Sequence, residues 1–213
     1  MIIAVDGPAA SGKGTVARAL AKHYRLPHLD TGLLYRAVAA NVMRLDLDPT
    51  KEADCVAACN FDDLLLADEF LREDAVGTAA SIVSAHPLVR SALLQRQRRF
   101  AGQEGGAVLD GRDIGTVIAP QADAKLFVKA TPTIRAKRRH SELRERGSTL
   151  SLDRVLMDIR SRDERDSTRS SAPLVMASDA ALLDTSFLSI GASVERAIAL
   201  VEAQLRRAEK IPA

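Results

Sequence analysis

The chain has 213 residues, 46% of them apolar, and a formal net charge of +2. This length suits one globular domain with mobile insertions better than two independent domains, and no run approaches the roughly twenty apolar residues of a membrane span. Aromatic residues make up 3% and Trp is absent, so a base-stacking surface for nucleic acid is poorly supplied, and a start directly in a strand with no basic leader points to the cytoplasm.

The first predicted element is a strand, Ile2–Asp6, running into Gly7, Pro8, Ala9, Ala10, Ser11, Gly12, Lys13, Gly14 and Thr15. Val16, Leu20 and Tyr24 then repeat at helical spacing. A glycine-rich loop between a strand and a helix turns successive N–H groups inward to cradle phosphate, and its Lys reaches the β- and γ-phosphates. The loop reads as a nucleoside triphosphate site. The residue after Lys13 is Gly14, where the general motif has Ser or Thr, which makes Thr15 the candidate metal-facing hydroxyl.

Further strands are predicted at Pro27–Asp30, Ala107–Asp110, Lys125–Lys129 and Ala181–Asp184. Helical patterns lie between them, and this alternation predicts an α/β fold around a doubly wound, five-stranded parallel sheet. Asp6, Asp30, Asp110 and Asp184 end their runs. Acids there either cap the next element or face a ligand beyond the carboxyl ends of the strands, and both roles stay open.

Two excursions interrupt the alternation. Residues 32–106 carry a helix near Leu33–Leu45, an acidic stretch Asp62–Asp74 and a helix started by His86-Pro87 and running to Phe100. Cys55 and Cys59 lie one helical turn apart without companion ligands, which suits buried thiols, and the four histidines are scattered. The second excursion, 133–169, holds ten Arg and one Lys against seven acids, a local +4 that leaves the remainder at −2. Arg135, Arg138 and Arg139 share one helical face by spacing, and Arg162, Arg165 and Arg169 another. Beside a phosphate loop these arginines form a candidate lid over a transferring phosphoryl group. A final helix presents Val194, Ile198, Val201 and Leu205 on one face and reads as structural.

Asp30-Thr31-Gly32 with Tyr35-Arg36, and Asp110-Gly111-Arg112-Asp113, follow the second and third strands on the rim that holds the phosphate loop. A hydroxyl, two arginines, a carboxylate and close-approach glycines are the ingredients of a second anionic substrate site.

With these motifs, and with Ala79-Ala80-Ser81, Val89-Arg90, Gln95-Arg96-Gln97-Arg98, Arg162-Asp163-x-Arg165-Asp166 and Ala172-Pro173-Leu174, the chain resembles the bacterial cytidylate kinases over nearly its whole length. The resemblance implies a P-loop-type kinase of one domain, 1–213, with a monophosphate-binding insertion over 32–106 and a short lid over 133–169. It implies phosphorylation of CMP and dCMP by ATP with Mg²⁺; a monomer is expected, and the poor supply of aromatics and the lack of an apolar span point to no nucleic-acid or membrane partner. Thr31, Arg90 and Asp113 would then read cytosine, Arg36, Arg112 and Arg169 would hold the monophosphate, and Ser81, Arg162 and Asp166 would approach sugar or phosphate. Lys13, Arg138 and Arg162 would act in catalysis. Cytosine chemistry agrees: its N4 amino group suits an acceptor carboxylate and hydroxyl, and its N3 and O2 suit an Arg fork. The excursion before Ser81 is shorter than in the family, which leaves little room for extra antiparallel strands. Shikimate- or gluconate-type kinases share the loop without the base-reading set. A nucleotide-binding switch would need an Asn-Lys-x-Asp motif, which is missing.

Overall fold

A computed structural model describes residues 1–208. The strands are β1 Ile2–Asp6, β2 His28–Asp30, β3 Ala107–Gly111, β4 Ala124–Lys129 and β5 Ala181–Asp184. The helices are α1 Lys13–Tyr24, α2 Thr31–Arg44, α3 Glu52–Ala57, α4 Asp74–Val83, α5 Pro87–Ala101, α6 Pro132–Glu145, α7 Leu152–Thr168 and α8 Ile190–Ala208. All five strands are parallel in the order β2-β3-β1-β4-β5. β1 is central, with Ile3 opposite both Val108 and Ala124.

Because both faces of the sheet are covered, its strands are apolar without alternation. Ile3, Val5, Val108 and Leu126 pack with Val16 and Leu20 of α1 and Val201 of α8, while Ala4 and Leu109 pack on the other face with Ala101, Ile114 and Ile118. The excursion after β2 has its own core, built on Leu34, Val38, Leu71, Val76, Val83 and Leu93. The α6–α7 hairpin closes over a much smaller cluster, Ala136, Leu143, Val155 and Ile159.

Several boundaries differ from the sequence expectation for local reasons. Pro27 lies outside β2, although its carbonyl accepts from Val108 N. The helix expected from Leu33 begins at Thr31, because the Asp30 side chain accepts from Gly32 N and caps it. The acidic stretch forms two 3₁₀ turns, Asp63–Ala67 and Glu69–Arg72, capped by Asp62 and Asp68. Among the described residues the excursion contains no strand. Arg169 does not share the α7 face with Arg162 and Arg165, since the helix ends at Thr168 and Arg169 is already extended.

Four strand-terminal acids that look alike in sequence separate here. Asp6 accepts from Ile114 N and Gly115 N, both at 2.8 Å, and so anchors the turn after Asp113. Asp184 accepts from Ser186 N and pairs with Lys129 on the surface. Asp30 caps α2, and Asp110 faces the phosphate loop.

Burial pushes the Asp6 carboxyl up to about 6, against the pull of the Gly115 and Ile114 N–H groups. The folded chain therefore holds this proton more tightly than the unfolded chain, and the associated stability is lost as pH rises through about 6. In urea unfolding, the wild type should lose on the order of 2–3 kcal/mol relative to Asp6→Asn between about pH 4 and pH 7. Parallel stability curves for the two proteins would rule this out.

Candidate active site

Ligand sites in doubly wound sheets lie beyond the carboxyl ends of the strands, and here β1, β2 and β3 all end at one cavity of about 1240 Å³. That volume exceeds the range of a typical single-ligand site and suits two ligands end to end.

The loop from Gly7 to Gly12 forms one wall. A Cβ on Gly7 would lie 2.1 Å from the Val128 carbonyl oxygen, so only glycine permits this approach to β4. Gly12, with φ +90°, closes the loop in a left-handed conformation that favours glycine and starts α1. Arg135 Nη1 donates to the Ala9 carbonyl at 3.2 Å, and Thr185 Oγ1 donates to that of Ser11 at 2.8 Å. Those bonds fix the loop from outside, while the first-turn N–H groups of Lys13, Gly14 and Thr15 have no intrahelical partner. Ala9 through Thr15 line the cavity; Gly7 and Pro8 shape the loop from behind.

Lys13 Nζ sits 3.4 Å from Asp110 Oδ2, and His28 Nε2 lies 2.7 Å from Asp110 Oδ1. Burial alone would raise the Asp110 carboxyl, but Lys13 and His28 outweigh it and hold the group below the usual range. Burial lowers Lys13, with Arg112 and Arg162 adding to the effect and Asp110 and Asp30 opposing it. Gly14 stands beside Asp110, where a Cβ would be 3.7 Å from Oδ2. Thr15 follows about 100° further round the helix, exposed on the cavity wall.

Next to Lys13 the cavity is crowded with guanidinium groups. Arg112 Nε donates to Asp166 Oδ2 at 2.7 Å; burial opposes its charge, and Asp166 more than offsets this to raise it. Arg162 has a buried Nε without a partner and is pushed down to about 10 by burial, with the charges of Arg112, Arg36 and Arg139 adding to it. It remains a cation at neutral pH. Arg36 donates to the Leu71 and Glu73 carbonyls at 2.6 and 3.1 Å. It crosses α4 at Gly77, where a Cβ would come within 2.6 Å of its Nη2. Arg139 pairs with Asp74 at 2.6 Å, and Arg165 donates twice to Ser81 Oγ at 3.2 Å.

At the far end, Asp113 is 4% exposed and pairs with Arg90 Nη2, while Arg169 Nη2 stands 3.7 Å from its other oxygen. Arg90 is aligned by the Ser84 carbonyl at 3.2 Å and by the Tyr35 ring, 5.5 Å beneath it. Thr31 Oγ1 donates to the Asp110 carbonyl at 2.9 Å, leaving its lone pairs to accept.

Thr31, Arg36, Ser81, Arg90, Arg112, Asp113, Arg138, Arg162, Asp166 and Arg169 thus all reach the cavity with Lys13. Arg135, grouped with the lid arginines by spacing, does not: its fork is 2.5–2.9 Å from Asp163 and binds α6 to α7. Arg138 lies at the phosphate-loop end, donating to Thr185 and to the Ser11 carbonyl. Sequence reasoning missed His28 and Thr185, and placed Tyr35 in the motif with Arg36 without giving it a role. A histidine two residues before Asp30 on the same strand was a signal for the first; Thr185 follows β5 and Tyr35 lies in the second turn of α2, and only tertiary packing brings these two here. Cys55, buried far from this wall, is pushed up to about 11 by burial and is no thiolate.

The cytidylate kinase family profile matches residues 3–203. The cytidylate kinase of Xanthobacter autotrophicus is 59% identical over 204 residues, 96% of this chain and 98% of that protein. That of Azorhizobium caulinodans is 56% identical over 202 residues, covering 95% and 98%. Among solved structures, an uncharacterized protein from Eubacterium ventriosum shares the fold, with a TM-score of 0.55 at 15% identity over 95% of this chain and 99% of that one.

So many cations with so few counter-charges should bind polyphosphate. Inorganic tripolyphosphate at about a hundred times its Kd should stabilise the fold by about 2.7 kcal/mol, a rise in Tm of roughly 5–10 °C. Arg162→Ala should reduce that rise; an equal rise with chloride at matched ionic strength would mean charge screening alone.

Proposed function

This chain belongs to the cytidylate kinase family, and we infer from that membership and from the geometry of its cavity how it phosphorylates CMP and dCMP with ATP. The observation that carries the assignment of roles is the row of cations joining the phosphate loop to the Arg90–Asp113 pair. ATP lies along the loop from Ala9 to Thr15, with Lys13 on its terminal phosphates. The monophosphate meets Arg36, Arg112 and Arg169. Ser81, Arg162 and Asp166 stand where sugar and phosphate join.

Transfer is direct and in line. The cavity supplies position and charge, and no activated side-chain nucleophile stands in it. Arg162, with donors unused in the free protein, is the group best suited to the charge that spreads over the moving phosphoryl. Arg138 serves from the donor end. Residues 32–106 act as the monophosphate-binding part of one domain spanning 1–213, and 133–169 act as its lid.

Mg²⁺ bound with ATP would neutralise phosphate charge. Among the described residues no cluster of three or more His, Cys, Asp or Glu could hold a metal alone, which fits an ion carried in on phosphates and water. The Thr15 hydroxyl, on the cavity wall, would face it. No described helix is long and apolar enough to cross a membrane, and Arg36, Arg90, Arg112, Arg162 and Arg169 turn into the cavity. We place the enzyme in the cytoplasm as a monomer, with nucleotides and no nucleic acid as partners.

Cytosine is selected by hydrogen-bond direction. Thr31 and Asp113 accept from N4, and Arg90 donates to N3 or O2; uracil presents O4 to a carboxylate and N3–H to a donor. Such a mismatch costs on the order of 10⁴ in kcat/KM. Asp113→Ala should cut CMP efficiency steeply and leave UMP efficiency level or higher. A variant that keeps its full preference for CMP would remove Asp113 from base reading.

Replacing the fork while keeping the charge tests the arginines. Arg162→Lys should lower kcat by roughly tenfold to a hundredfold with less change in KM, and Arg138→Lys by less. If Arg162→Lys raised KM alone, Arg162 would be a binding residue only.

A further inference from the structure

The reaction as described leaves His28 unused. It stands on β2, three residues before Thr31, in a half-buried position. Its Nε2 lies 2.7 Å from Asp110 Oδ1, and the carboxylate side chain is only 1% exposed. An ionised carboxylate can only accept, so the shared proton sits on Nε2. That bond occupies Oδ1 and leaves Oδ2 directed at Lys13 Nζ, 3.4 Å away. Oδ2 has no hydrogen bond from any other group.

Asp110 is held in a second way. Its carbonyl accepts from Thr31 Oγ1 at 2.9 Å, so one short segment, β2 and the first turn of α2, grips both its backbone and its side chain. The register supports this, with Asp30 paired to Asp110 across β2 and β3. Without His28, the terminal torsion of a carboxylate is broad and nearly free, and a lysine stem of four carbons follows its counter-ion. The charged groups around the pair are Lys13, Arg112 and Asp30.

We propose that His28 is a positioning residue: it fixes the Asp110 carboxylate, which in turn fixes the Lys13 ammonium at the phosphate loop. The acceptor-side helix α2 and the donor-side lysine are thereby joined through two side chains. The proposal rests on Lys13 acting on the terminal phosphates of ATP.

The test is steady-state kinetics with ATP and CMP on wild type, His28→Leu and His28→Gln, with thermal melts alongside. Glutamine carries an Nε2 donor at the same number of bonds from the backbone. His28→Leu should lower kcat about tenfold with KM for CMP within about twofold, and His28→Gln should recover most of the loss. In an Asp110→Asn background, His28→Leu should cost little more. Equal rates for Leu and wild type, equal loss for Leu and Gln, or a change confined to KM for CMP would each overturn the proposal. If His28→Leu does not fold, nitrogen-resolved NMR of the wild type decides: His28 should carry its proton on Nε2, with a resonance that moves in Lys13→Ala. A proton on Nδ1 alone, or an unmoved resonance, would overturn it. Failure of the wild type to phosphorylate CMP would instead strike at the activity itself.

Discussion

Everything in this molecule is arranged around like charges held close together. Lys13, Arg36, Arg112, Arg139 and Arg162 share one cavity, where burial first and the neighbouring cations second lower the proton affinity of Lys13 and Arg162. Two unit charges about 7 Å apart repel by about 2 kcal/mol at an effective dielectric near 20. A chain tolerates several such terms only if its backbone is stiff where the cations are rooted and if acids are placed to divide them. Asp110, Asp166 and Asp113 do the dividing, each buried and each paired to a cation of the cavity. The repulsion that remains is what an arriving polyanion would relieve.

The parts differ in how firmly they are built. The insertion after β2 rests on a large apolar cluster contributed by α2, α4 and α5 as well as Leu71. The α6–α7 hairpin has four buried apolar residues, and much of its cohesion comes from the Arg135–Asp163 fork and from polar links to its neighbours. Elements with few buried apolar contacts open at lower free energy than the core. The hairpin bearing Arg138 and Arg162 is therefore the more weakly anchored wall of the cavity, while the Arg90–Asp113 end is set in a firm frame.

Much of this was legible in the sequence, and the gaps have physical causes. All five strands were found, because parallel strands covered on both faces leave continuous apolar runs; the phosphate loop announced itself through glycines that the backbone geometry requires at Gly7 and Gly12. Roles at the strand ends were not legible. Asp6, Asp30, Asp110 and Asp184 end similar apolar runs; Asp30 is a cap through Gly32, two residues on, whereas only distant segments make Asp6 an anchor and Asp110 a partner of Lys13. Helical spacing grouped Arg135 with Arg138 and Arg139, yet three residues on one face point in directions wide enough apart for one to bind Asp163 and another Asp74. Arg169 was misplaced because spacing says nothing about where a helix ends. His28 escaped notice because its partner lies 82 residues away.

The central position of β1 has a consequence for how the chain acquires its shape. β1 has both its neighbours, β3 and β4, more than a hundred residues downstream. At ordinary elongation speeds of about 5–20 residues per second, several seconds pass before either exists. The α2–α5 region, by contrast, draws its contacts from nearby sequence and is free to condense early. The nascent glycine loop therefore waits for β3, and Lys13 meets Asp110 only once the sheet has closed around β1.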